Sequence, residues 1–264
     1  MKKMFTAALS LLLLASLWGC SQKEDIKFYE SKTYRKAQTG DITRTESTYD
    51  ENWHLLLHDM TLNGNFTSKT EYAYSEDYTV MTTTSTSATY GTETSTVVRT
   101  FDEKGQIIKG DSYDGDRLVG SSEYTYNEDG EMIFVKSNYP DSDVVTTLER
   151  IFDDEGNLIR YIQDTGSYVG RYEYSYNKKN QRIREEYYRN DEMLDYREYT
   201  WEGNVGTGIS YNADGTPMGK LILEYDDFGN LLRMESQKPS GDTLSVSCYE
   251  YIGTDGSISS GIPE

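Results

Sequence analysis

The sequence predicts an all-β fold: an elongated antiparallel meander of about eight to nine two-strand repeats, forming an open twisted sheet or partial spiral. Three observations predict it. First, an aromatic residue followed by a turn recurs at Tyr49, Tyr74, Phe101, Tyr126, Phe152, Tyr176, Trp201, Tyr225 and Tyr251, at intervals of 24 to 27 residues. Second, the turn has a fixed grammar. Asp50, Asp102, Asn127, Asp153, Asn177 and Asp226 come straight after the aromatic, and Gly105, Gly130, Gly156 and Gly229 stand four positions past it, with Asn180 in the same slot. Glycine and asparagine are the residues that tolerate positive φ, so the slot reads as a left-handed residue closing a short hairpin. Third, tyrosines alternate, as at Tyr172, Tyr174 and Tyr176, which puts each set on one face of a strand.

The elements follow in chain order. Lys2 and Lys3 precede an apolar run from Phe5 to Trp18, the charged-then-apolar layout of an export signal over residues 1–20. The run is too short, and too soon followed by charge, for a membrane span. Residues 21–40 are polar and read as a tether, with Phe28, Tyr29 and Tyr34 available for a capping strand. The repeats occupy 41–253. Within them the Thr/Ser run from Thr79 to Thr96, centred on Tyr90 and Gly91, reads as a polar hairpin because threonine favours strands. Apolar residues resume seven positions past the aromatic at Leu56, Ile108, Ile133, Ile159, Ile183 and Leu232, marking the returning strand. Residues 254–264 form a short tail. The repeat aromatics are expected to serve mainly as packing.

Two resemblances sharpen this reading. Leu17-Trp18-Gly19-Cys20 resembles a bacterial lipobox, although Trp18 stands where that pattern prefers a small residue. The resemblance implies cleavage before Cys20 and lipid attachment there. Ser21 after the cysteine resembles the outer-membrane destination, and Lys23, Glu24 and Asp25 resemble signals that send lipoproteins to the cell surface. The stretches Phe152-Asp153-Asp154-Glu155-Gly156-Asn157-Leu158 and Tyr225-Asp226-Asp227-Phe228-Gly229-Asn230-Leu231 resemble YD repeats of the RHS type. That likeness runs from about Thr48 to Tyr251. It implies a β-strand array, often curling into a spiral or shell, and does not imply catalysis.

Charge and composition exclude further classes. The net charge is −19, and removal of the first twenty residues takes away two lysines and no acid, leaving −21. Such a surface repels phosphate backbones, so nucleic acid is not an expected partner. Cys20 and Cys248 are the whole cysteine content, so a lipidated Cys20 leaves no intramolecular disulfide. Cys248 reads as a small buried strand residue.

No chemical motif stands out. His54 and His58 lie four apart with Asp59 as the nearest further ligand, but Leu55 stands where a zinc-protease helix carries glutamate, and no metal is expected. Acidic turns such as Asp111 to Asp116 lack calcium-loop spacing and read as solvated hairpins. No nucleophile elbow, phosphate loop or dinucleotide fingerprint occurs, so neither a catalytic residue nor a cofactor is assigned. The expectation is a non-enzymatic, lipid-anchored protein of the outer membrane, acting as a surface interaction or structural module whose partner is a glycan or another envelope protein. Trp53, Tyr90 and Trp201 are the candidate ligand-binding aromatics. An envelope polysaccharide-acting enzyme and a periplasmic assembly factor are the alternatives.

Overall fold

The computed structural model describes residues 28–37, 39–50, 54–142, 144–253 and 258–261. They form antiparallel strands throughout: β1 (Phe28–Ala37), β2 (Ile42–Tyr49), β3 (Leu55–Leu62), β4 (Asn65–Tyr74), β5 (Val80–Ser87), β6 (Gly91–Phe101), β7 (Ile107–Asp114), β8 (Arg117–Tyr126) and β9 (Met132–Tyr139). The second half continues with β10 (Val144–Phe152), β11 (Leu158–Asp164), β12 (Val169–Tyr176), β13 (Arg182–Arg189), β14 (Glu192–Glu202), β15 (Val205–Asn212), β16 (Pro217–Tyr225), β17 (Leu231–Gln237), β18 (Thr243–Gly253) and the short β19 (Ile258–Ser260). The Thr/Ser run is the β5–β6 hairpin, as its composition predicted.

The sheet is not open. β1 pairs with β2 on one side and with β18 on the other, Ser31 to Ala37 running in unbroken register against Tyr251 to Ser245, so 18 strands close into a barrel. The expected open sheet or partial spiral is corrected on this point. An open array leaves two rows of unpaired backbone N–H and C=O groups, and one strand here satisfies both edges at once. That strand lies within the span read as a tether, where Phe28, Tyr29 and Tyr34 had suggested a cap.

The barrel has two unlike rims. Turns after the even-numbered strands carry the repeat signature and form what we call the Asx rim. Where Asp, Asn or Ser follows the aromatic, that side chain caps the turn: Asp102 Oδ1 accepts from the Lys104 and Gln106 amides at 2.9 and 2.8 Å, and Asp226 Oδ1 accepts from Phe228 and Asn230 at 2.9 and 2.7 Å. Asn177 repeats the pattern on Lys179 and Gln181. A local side-chain acceptor of this kind is why Asp and Asn recur in the slot. The left-handed slot is occupied as expected, with φ of 78° at Gly105 and 57° at Asn180. A Cβ at Gly105 meets nothing within 4 Å, so Gly105→Ala tests backbone strain alone. It is expected to cost about 1–2 kcal/mol in urea denaturation, and Gly105→Asn less than half of that.

Four repeat tyrosines also lock onto the preceding repeat. A bulge at the aromatic, as between Ser175 and Tyr176, interrupts the ladder where the next strand starts. The following repeat supplies a donor there: Tyr74 Oη bonds Leu55 O at 2.9 Å, Tyr126 bonds Ile107 O at 2.9 Å, Tyr176 bonds Leu158 O at 2.9 Å and Tyr251 bonds Leu231 O at 3.1 Å. These phenols tie neighbouring turns together along the Asx rim.

One face of every strand points inward, and little covers it. Among the described residues Leu158, Tyr161, Tyr199 and Cys248 are the buried hydrophobics, and no large side chain is fully enclosed. The inner wall therefore borders a lumen rather than a second layer, as expected for a barrel of this strand number.

Candidate functional site

The inner face is built by alternation. Cross-strand partners Tyr161 and Tyr172, Tyr172 and Tyr187, Tyr174 and Glu185, Glu185 and Arg197, and Tyr199 and Gly208 all share it. Along β11 to β18 this face forms a cavity of about 600 Å³, lined by seven tyrosines with Trp201, Leu221 and Leu223 and reaching the Asx rim at Asn180, Asn204 and Asp227.

Three features organise the cavity. Tyrosine rings form a stepped wall: Tyr172 stacks on Tyr187 with centroids 4.7 Å apart and lies parallel to Tyr174 at 6.3 Å. Glycines make room for the next rings. A Cβ on Gly208 would come within 2.8 Å of Tyr199, and one on Gly206 within 2.9 Å of Trp201, so both rings lie flat against backbone across the strand pair. Between these rings sits a charged cluster. Arg182 Nη1 donates to Glu185 Oε2 at 3.0 Å and its guanidinium lies 4.4 Å from the Tyr174 centroid. The Tyr199 hydroxyl donates to the same carboxylate at 3.2 Å, while Arg197 reaches Tyr199 Oη at 3.1 Å and Ser210 Oγ at 2.8 Å. Two guanidiniums therefore share one carboxylate, in a chain whose net charge is −19. Burial pushes the Tyr174 and Tyr199 phenols up, and Tyr225 is raised to about 12 by the same cause.

The candidate aromatics do not converge. Trp201 lines the cavity, tilted against Tyr225 at 5.9 Å, and its Nε1 donates to Arg182 O at 2.7 Å. It is thus the indole version of the phenol lock described above, a repeat-position residue with one face on the lumen. Tyr90 is 82% exposed at the tip of the β5–β6 hairpin, on the opposite rim. Trp53 and Cys20 lie outside the described residues. His54 pairs with Asp50 and stacks on Tyr78, while His58 faces inward to Ser47 Oγ at 2.9 Å with Asp59 on the other face of β3. Among the described residues no cluster of three metal-binding side chains occurs. Arg182, Glu185 and Arg197 were not singled out in the sequence, where they are ordinary charges in β-rich stretches. Their one signal is parity, since they share the tyrosine face.

The outer face is the opposite in kind. Arg160 pairs with Glu173 at 3.1 Å, Arg184 with Glu186 and Glu198 at 2.7 and 2.6 Å, and Arg171 with Asp191 at 2.7 Å. Lys109–Asp111 and Lys69–Glu71 continue the pattern elsewhere on the wall. A barrel embedded in lipid presents a tall apolar band outward, and charges there cost about 2–4 kcal/mol each at mid-depth. A wall with these ion pairs suits water.

No family model and no curated protein match the chain. Among solved structures, a porin-like protein from Bacteroides uniformis ATCC 8492 is 10% identical, with 85% of this chain and 97% of that one covered, at a TM-score of 0.47. A porin-like protein from Bacteroides vulgatus ATCC 8482 is 12% identical over 86% and 99% of the two chains, at 0.37. The TcdB2-TccC3 structure without its hypervariable C-terminal region is 12% identical, and the chain spans 17% of its length at 0.30. At these values the functional reading rests on the chain's own residues.

Proposed function

We propose that this protein is a non-enzymatic, lipid-anchored envelope protein, a YD-type repeat barrel that stands in water and binds glycan in its lumen. The observation that carries the reading is the cavity wall of stepped tyrosine faces with Arg182, Glu185 and Arg197 set among them. Flat aromatic faces take the apolar faces of sugar rings, and a few fixed polar groups orient the hydroxyls. Catalysis is disfavoured by the state of the carboxylates. Glu185 is held by Arg182 and Tyr199, and Asp226 caps its own turn, whereas glycoside hydrolysis needs two carboxyls poised across a bond. The charged outer wall speaks against spanning the bilayer, which leaves the lipid at Cys20 as the attachment to the outer membrane.

Metabolic labelling with a clickable fatty acid tests the anchor. Label in the wild type, absent in Cys20→Ala, with the wild type in the outer-membrane fraction, is the expected result. Unlabelled protein in both would overturn the anchor.

A further inference from the structure

The direction in which the lumen opens follows from where the chain enters the barrel. β2 and β18 both run toward the Asx rim, and β1 is antiparallel to both, so Phe28 lies at the Asx rim and Ala37 at the other. β18 likewise ends at the Asx rim, at Gly253. Seven residues separate Cys20 from Phe28, and even fully extended they reach no more than about 28 Å. The rims stand roughly 25 Å apart, so a bilayer at the hairpin rim would require those seven residues to run almost fully extended along the whole wall, whereas a bilayer at the Asx rim requires no extension.

We infer that the Asx rim is held against the bilayer and that the hairpin rim opens away from it, so the ligand enters through the hairpin mouth. The inference rests on the lipid-anchor reading. The two halves of the lumen are lined differently. Toward the Asx rim the inner wall carries the ring of repeat aromatics. Toward the hairpin rim some inward pairs are small and polar, Ser68 with Ser87, Ser112 with Gly120 and Ser236 with Ser245, while Tyr139 packs beside Gly120 and Tyr168 and Tyr187 beside Gly170. Tyr90, exposed at the hairpin rim, stands beside that mouth. The cavity extends to the Asx turns, where Lys179, Asn180, Asn204 and Asp227 line it, so a sugar chain entering at the hairpin mouth reaches it along the bore.

The test uses the lipidated full chain with Cys248→Ser, carrying a fluorophore at Glu128→Cys on the Asx rim or Asp116→Cys on the hairpin rim. Both positions are exposed turn residues. Each protein is bound to phosphatidylethanolamine vesicles containing a headgroup-quencher lipid. Quenching at least threefold stronger from the Glu128 position supports the inference. Equal quenching, or stronger quenching at Asp116, by protein that floats with the vesicles overturns the orientation and leaves the anchor standing. Lipidated protein that fails to float overturns both.

Discussion

Titrated upward from about pH 9, the barrel is expected to unfold cooperatively before about pH 12, with phenolate absorbance rising in the same step as far-ultraviolet circular dichroism is lost. Tyr225 is held near 12 against an ordinary value of 10.0 because burial disfavours its phenolate. A phenol kept neutral in this way stabilises the fold fully below pH 10. Above that, the unfolded chain releases a proton that the folded chain retains, and stability is lost as the pH climbs through the folded value. Two units correspond to about 3 kcal/mol for Tyr225 alone. Burial raises Tyr174, Tyr199 and Tyr251 in the same direction. Against the roughly 5–15 kcal/mol that holds an ordinary domain folded, the loss at Tyr225 alone is large. Ionisation of the full complement of 24 phenols near pH 10 while the dichroism persists would contradict the tyrosine packing described here.

Glu185→Ala is expected to cost about 3–5 kcal/mol in urea denaturation, the penalty for leaving a buried charge without its partner. Arg182 and Arg197 both lean on this carboxylate, and Tyr199 donates to it. Adding Arg182→Met to Glu185→Ala should restore more than half of the loss, because the double variant removes the stranded guanidinium. The outer pair Lys69–Glu71 provides the contrast. Its side chains are 39% and 56% exposed, so Glu71→Ala should cost under about 1 kcal/mol.

The repeat grammar was legible because it is local. Aromatic, Asx cap and left-handed slot lie within five residues of one another, and each answers to backbone geometry that any copy of the turn must satisfy. The nine aromatics accordingly mark the ends of the even-numbered strands. Closure was not legible. Whether the last strand meets the first depends on twist accumulated over the whole sheet, and no short segment encodes it. The closing strand was also masked by its composition, since Glu30, Lys32, Arg35 and Lys36 give β1 the polarity of a tether. The cavity stayed hidden for a related reason. Trp201 was noticed for its residue type, but its role depends on Gly206 and on the Arg182 carbonyl, which only the register brings beneath it. Tyr90 was noticed on the same grounds and lies on the far rim.

The lumen as a binding site can be tested through Trp201 itself. Of the three tryptophans, Trp18 falls in the span proposed as an export signal, so once that span is removed Trp53→Phe leaves Trp201 as the sole indole. The measurement is Trp201 emission during titration with soluble neutral and uronic-acid oligosaccharides. A saturable change with at least one of them, lost in Tyr174→Ser and Tyr225→Ser variants that keep the β dichroism, is the predicted result. No change with any of them, or a response that survives both substitutions, would contradict a glycan-binding lumen.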